Sequence, residues 1–284
     1  NMTTGDQEKP RLVLFAGPTA SGKSDAAMAV AQTLDAELVS ADSMQVYRGL
    51  DIGTAKPSRA ERDLVPHHLI DVADIDEVYN VGRYIDEARA AVADIHARGK
   101  PCLVVGGSAL YMKVLLEGLM EGAGRDEAER LGLEQAWDEG GRDTLWAELG
   151  RVDPELAARL HPNDRTRIIR GLEVWRSTGK PISALQAEHR FAERPYEALI
   201  LGMKVERPLL YERIDRRTDQ MLAAGWIEEV RAVLARGYPA DLSPLQAIGY
   251  REICDVLARG VDAQGLSARI AQATRKFSKR QMTW

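Results

Sequence analysis

Short apolar runs alternate with longer stretches of helical periodicity along the first 118 residues. Leu12, Val13, Leu14, Phe15 and Ala16 form an unbroken apolar segment of the kind buried on both faces of a sheet. Residues 24–34 follow, rich in Ala and carrying Met28 and Val30, and suit a helix. Residues 37–40 read as a second strand and residues 65–72 as a further sheet segment. Val81, Ile85, Ala88, Val92 and Ile95 recur at helical spacing, and Arg98-Gly99-Lys100-Pro101 is a stop signal. Residues 101–105 return to a buried strand. Gly106-Gly107-Ser108 then turns into a helix over residues 109–117, with Ser108 as N-cap. Strand–helix repeats in this order predict an α/β fold, a parallel sheet flanked by helices.

The pattern changes after residue 118. Residues 121–150 hold nine acidic residues against three basic ones, with glycine pairs and short amphipathic stretches, which suggests a small all-helical insert. Asp153-Pro154 opens another helix, as N-cap and first-turn proline. Residues 165–176 carry four arginines against one glutamate, with Ile168, Ile169, Leu172 and Trp175 as the apolar stripe. Residues 198–205 are again strand-like, so the sheet domain resumes. The expected division is a discontinuous core of residues 1–118 and 198–284 around an insert of residues 119–197.

One stretch carries the chemistry. Gly17-Pro18-Thr19-Ala20-Ser21-Gly22-Lys23-Ser24 fits the phosphate-cradling pattern G-x-x-x-x-G-K-[ST] at every defined position, between a strand and a helix. The loop amides and the helix N-terminus would face a diphosphate. Lys23 would reach its terminal oxygens, and the Ser24 hydroxyl would ligate Mg²⁺. The pattern is common to ATP- and other nucleotide-binding proteins and does not say whose diphosphate is held. Asp42, just past the second strand, falls where ligand groups gather in parallel sheets, with Ser43, Met44 and Gln45 beside it. It is equally suited to be a turn carboxylate. The strand ending at Val105 lacks the acidic residue that helps many P-loop nucleotidases hold Mg²⁺, because Gly106-Gly107 follows. Adjacent His67 and His68 on a strand would point to opposite faces and so do not make a metal pair.

Net charge is −5, which argues against a generic nucleic-acid coat. Yet Arg213, Arg216 and Arg217 lie about one turn apart, and Arg275, Lys276, Lys279 and Arg280 fall within about 140° of one helical face. An acidic chain with local basic stripes suits a specific polyanion cleft. Cys102 and Cys254 show no metal or disulfide spacing, which suits a reducing, cytoplasmic setting. No run approaches the ~18 apolar residues of a membrane span. The helical pattern is still running at Trp284, so the natural chain is expected to continue. A monomer is expected.

Taken together, several stretches resemble the tRNA dimethylallyltransferases. They are the loop at residues 17–24, Ala41-Asp42-Ser43-Met44-Gln45-Val46-Tyr47, Asp51-Ile52-Gly53-Thr54-Ala55-Lys56-Pro57 and Pro66-His67-His68-Leu69-Ile70-Asp71. Gly106-Gly107-Ser108-Ala109-Leu110-Tyr111, His161-Pro162-Asn163-Asp164, Ala247-Ile248-Gly249-Tyr250-Arg251 and Lys279-Arg280-Gln281-Met282-Thr283-Trp284 complete the set. Gln246 stands where that family usually has a basic residue, and Ser108 where it usually has Thr. The resemblance implies a P-loop NTPase-like fold and transfer of a dimethylallyl group from dimethylallyl diphosphate to N6 of adenosine 37 in tRNA. It implies that Asp42 acts as general base and that Thr19, Lys23, Arg217 and Mg²⁺ serve the leaving diphosphate. The base would be flipped into a channel, where Ser43, Met44 and Gln45 grip its edge. Thr166, Arg167, Ile168, Ile169 and Arg170 would hold the RNA, with residues 246–251 and 279–284. Ser108 and Arg130 are further RNA contacts by the same resemblance, and the insert would clamp the anticodon stem-loop. A P-loop kinase of a small metabolite and a nucleotide-gated RNA-binding switch share parts of this pattern. The first predicts ATP turnover without RNA, the second RNA affinity without a covalent product.

Overall fold

The computed structural model describes residues 9–118, 126–189 and 194–282. Five parallel strands form one sheet: β1 (Arg11–Ala16), β2 (Glu37–Ser40), β3 (His67–His68), β4 (Cys102–Val105) and β5 (Glu197–Gly202). Their order across the sheet is β3-β2-β4-β1-β5. This is the parallel sheet that the strand–helix alternation predicts, in the P-loop NTPase-like architecture that the resemblance implies.

Period-two alternation explains how the sheet is covered. Leu12, Leu14, Val39, Cys102 and Val104 face one core, shared with Tyr84, Ile85, Ala88, Val92 and Ile95 of α3 (Val81–Ala97). Phe15, Leu38, Leu103 and Val105 face the other, closed by Ala27 and Ala31 of α1 (Lys23–Leu34). The three central strands are therefore apolar on both sides, as their unbroken runs require. The register pairs Phe15 with Val105 and Ser40 with Val105. The ends of β1, β2 and β4 thus stand level, and the glycine loop, Asp42 and Gly106-Gly107 leave the sheet side by side.

The sheet segment expected over residues 65–72 shrinks to His67–His68. Leu69 and Asp71 adopt φ of +62° and +56°, which turns the chain out of the pleat. α2 (Arg59–Leu64) precedes it, closed by a reciprocal Ser58–Glu61 capping box.

The chain forms two compact units, Asn1–Leu116 with Pro195–Trp284, and Glu117–Arg194. In the first unit, α4 (Ala109–Glu117) follows β4. α10 (Arg207–Ala223), α11 (Trp226–Ala235), α12 (Tyr250–Arg259) and α13 (Leu266–Gln281) follow β5. Among the described residues the second unit is helical: α5 (Glu127–Ala136), α6 (Arg142–Val152), α7 (Pro154–Ala157), α8 (Arg165–Thr178) and α9 (Ile182–His189). Leu133, Leu145, Leu149, Leu156, Ile168, Ile169 and Leu172 make its core. Fully buried Asp153 caps α7 through the Leu156 amide at 2.9 Å and accepts from the Ser183 amide at 3.0 Å. Among the described residues, no helix is long and apolar enough to cross a membrane.

Candidate active site

Three charges from three separate elements converge at the sheet end. Lys23 opens α1, Asp42 follows β2 and Arg217 lies on α10. Burial pushes the Lys23 amine down to about 8, with the Asp42 carboxylate opposing that shift and Arg217 adding to it. The Arg217 guanidinium is also shifted down, by burial first, against Asp42 and Asp25. Lys23 and Arg217 both feel the Asp42 carboxylate, so three residues singled out in the sequence lie near one another. Lys23 Nζ donates to the Pro18 carbonyl at 3.2 Å, folding back over its own loop. A further loop bond runs from the Ser21 amide to Pro18 at 3.2 Å. Ser21 Oγ is buried without a partner, and Ser24 is exposed in the first turn of α1.

Asp42 is a turn carboxylate. Its Oδ1 accepts from the Met44 amide at 2.8 Å and from the Gln45 amide at 3.3 Å. Oδ2 is the oxygen not committed to that turn. The Gln45 amide is occupied: Nε2 donates to the Thr54 and Ala55 carbonyls, both at 3.2 Å, and Oε1 accepts from the Ser40 hydroxyl at 3.1 Å. Gln45 therefore buttresses the residue 51–56 loop, while Ser43 and Met44 line the adjoining cavity.

That cavity, about 480 Å³, is lined by Thr19 and Ala20, by Ser43 and Met44, by Arg217, by Gln246, Ala247, Ile248 and Arg251, and by Arg280. Residues far apart in sequence thus share one pocket, which the glycine loop and the turn after Asp42 both reach. Gln246 reaches the Ala240 carbonyl at 2.7 Å. Gln281 turns inward: its Oε1 accepts from the Thr19 amide and its Nε2 donates to the Gly107 carbonyl, each at 2.9 Å. It links the two glycine turns rather than presenting its amide to a partner. Ser108 caps α4, with its Oγ 3.4 Å from the Tyr111 amide. The missing acidic residue at position 106 has a steric reason. A Cβ there would stand 2.1 Å from the Ala41 carbonyl oxygen, so only glycine fits.

Two site residues escaped the sequence reading, both on α11. Glu229 accepts from the amides of Asp51 at 2.9 Å and Ile52 at 2.7 Å, and from the Tyr250 hydroxyl at 2.6 Å. Trp226, 3% exposed, packs against Gly53 and Gly249. A Cβ on Gly249 would lie 1.9 Å from the indole, and its φ is +88°. Their only sequence signal is the amphipathic spacing of a core helix.

The residues expected to contact RNA lie in differing surroundings. Ile168 and Ile169 are core residues of the second unit, at 0% and 1% exposure, because helical spacing turns them toward Leu149 and Leu172. Tyr250 is buried, with its hydroxyl on Glu229. Gly249 is buried under Trp226. On α8, Thr166 and Arg167 are exposed, Arg167 lying 3.1 Å from Asp164. Arg170 pairs with buried Glu173 at 3.0 Å, and Arg130 with Glu134 at 2.9 Å. Lys279, Arg280 and Met282 are exposed. Thr283 and Trp284 lie outside the described residues.

A family model described as IPP transferase matches residues 45–284. The tRNA dimethylallyltransferase of Geobacter metallireducens is 50% identical over 279 residues, 98% of this chain and 90% of the relative. The chain belongs to the IPP transferase family. Among solved structures, the full-length tRNA isopentenylpyrophosphate transferase of Bacillus halodurans aligns at a TM-score of 0.70 and 39% identity, over 97% of this chain and 86% of the other. A eukaryotic dimethylallyltransferase acting on tRNA aligns at a TM-score of 0.82 and 30% identity, over 97% of this chain and 69% of the other.

Proposed function

We propose that the chain transfers the dimethylallyl group of dimethylallyl diphosphate to N6 of adenosine 37 in a tRNA anticodon loop. The observation that carries this reading is the mutual proximity of Lys23, Asp42 and Arg217, next to a cavity that Arg217, Thr19 and Ser43 share with Gln246, Ala247, Ile248 and Arg251. An adenine amine is a poor nucleophile, since its lone pair is delocalised into the ring. The reaction therefore needs a stabilised leaving group and a proton acceptor. The N6–C1 bond forms as the C1–O bond to diphosphate breaks. The loop amides, Lys23 and Arg217 stabilise the charge that grows on the departing oxygens. Asp42 takes the N6 proton on Oδ2, the oxygen outside its turn.

The donor set also suits Mg²⁺, a hard cation that keeps several waters and is usually held by few protein groups plus substrate phosphates. The exposed Ser24 hydroxyl at the loop's end would supply one such ligand. No cluster of three or more His, Cys, Asp or Glu able to hold a metal occurs among the described residues, so the remaining ligands would be diphosphate and water oxygens. When bound, Mg²⁺ would neutralise diphosphate charge. Ser43 and Met44 line the pocket for a flipped base, and Thr166, Arg167, Lys279 and Arg280 are exposed to meet RNA phosphates.

The test mixes protein, Mg²⁺, labelled dimethylallyl diphosphate and tRNA. Label should move to the RNA and mass spectrometry should find it on N6 of adenosine 37. ATP turnover, or phosphorylation of a small metabolite with the RNA unlabelled, would overturn the reading.

A further inference from the structure

A second cavity, about 540 Å³, runs between α12 and α13. Ile248, Arg251 and Arg280 border both it and the acceptor pocket, so the two adjoin. From the groove we infer a track for the RNA backbone flanking the modified adenosine, with Arg269 and Lys276 as phosphate contacts. This rests on the function proposed above.

Charge complementarity is the first argument. Four cations line the groove, Arg251, Arg269, Lys276 and Arg280, against two carboxylates, Glu252 and Asp255. One of the carboxylates is answered by Arg251 itself and the other by Arg259, outside the lining, so Arg269, Lys276 and Arg280 carry the groove's positive excess. Glu252 accepts from the Gly249 amide at 2.6 Å and from Arg251 at 2.7 Å, and Asp255 accepts from Arg259 at 2.6 Å. Arg269 is held differently. Its Nη1 and Nη2 donate to the carbonyls of Gln264 at 2.7 Å and Asp262 at 3.0 Å. Neutral acceptors fix the guanidinium in place without cancelling its charge, which suits a phosphate contact.

Geometry is the second argument. Residues 269, 273, 276 and 280 follow one another at helical spacing, so Arg269, Lys276 and Arg280 form a stripe on one face of α13. At 1.5 Å per residue the stripe spans about 16 Å, longer than a single phosphate needs. The basic face visible in the sequence is thereby redrawn: Arg275 is drawn off by Asp215, and Arg269 joins. A strand whose base enters the acceptor pocket passes Arg251 and Arg280 and meets this stripe directly.

The experiment compares wild type with Arg269→Glu/Lys276→Glu, and with the milder Arg269→Gln/Lys276→Gln should the first not fold. An anticodon stem-loop RNA is titrated over a range of salt, and dimethylallyl diphosphate affinity is measured alongside. Affinity for RNA is expected to fall at least about tenfold near 0.1 M salt. The log–log salt slope should flatten by about 1.4, two single-strand phosphates' worth, with diphosphate affinity unchanged. A variant with wild-type RNA affinity and slope, in a protein that still prenylates RNA, overturns the track and leaves the proposed reaction standing. A wild-type protein that binds no RNA overturns both.

Discussion

The Thr19 amide donates to the Gln281 side chain at 2.9 Å across a sequence separation of 262 residues. Through its Nε2 bond to Gly107, the same side chain holds two glycine turns of the sheet end at a fixed distance. Gln281→Ala should therefore loosen the phosphate loop. The expected loss is about 1 kcal/mol of stability, a usual figure for one removed hydrogen-bonded group. Affinity for dimethylallyl diphosphate should fall roughly five- to tenfold, in line with a further ~1–1.4 kcal/mol. Calorimetric titration of both substrates checks this. Loss of RNA affinity with diphosphate affinity intact would return Gln281 to the RNA face.

Asp42 has two jobs that one pair of substitutions separates. Asp42→Asn keeps an Oδ1 acceptor for the Met44 and Gln45 amides but removes the basic oxygen. Its stability should match wild type, while turnover falls by about 10²–10⁴, the usual contribution of a positioned base. Asp42→Ala should lose the same activity and in addition ~1 kcal/mol of stability from the opened turn. Denaturant midpoints beside single-turnover rates decide the matter. Equal activity of the Asn variant and wild type would leave Asp42 a turn residue alone.

Lys23 gives a pH signature. Its amine sits at about 8, lowered mainly by burial. A bound diphosphate favours the charged amine, so above pH 8 binding must take up a proton. Donor affinity should hold below pH 8 and then fall by up to about tenfold per pH unit. The stability effect has the opposite sign. A lysine whose folded value is lowered makes the unfolded chain the stronger proton binder, so ligand-free stability should rise as pH climbs from about 8 toward 10.5. Lys23→Met should abolish both trends, and titrations in buffers of different ionisation enthalpy count the proton.

How much of this was legible depends on the distance over which each residue acts. The glycine loop, Asp42 and strands β1, β2 and β4 follow from local spacing, and those strands form within a residue or two of expectation. Ile168 and Ile169 carried two signals, helical periodicity toward a core and resemblance toward RNA, and burial follows the periodicity. Gln281 and Glu229 could not be read from local pattern. Their partners lie 262 and 178 residues away, and a Gln or Glu on a helix looks the same whether it meets water or a loop amide. The two-residue β3 is set by positive φ at Leu69 and Asp71; Asp tolerates that region, but Leu in an apolar run gives no sign of it.

Glu229 is where that invisible wiring can be tested most sharply. Its carboxylate ties the amides of residues 51 and 52 to the Tyr250 hydroxyl, and Gln45 is bound to the same loop two residues further on. Tyr250→Phe removes one donor and leaves the carboxylate its backbone partners, so it should cost about 1 kcal/mol. Glu229→Ala strands two backbone amides and a buried hydroxyl together, and should cost about 2–4 kcal/mol. Because the three groups share one acceptor, the double variant should be less destabilised than the sum, with a coupling of about 0.5–3 kcal/mol. The loop that braces Gln45 also lines the acceptor pocket through Gly53. The Ala variant should therefore raise KM for RNA more than KM for dimethylallyl diphosphate. Additive energies, or equal changes in both KM values, would show that α11 supports the core without reaching the site.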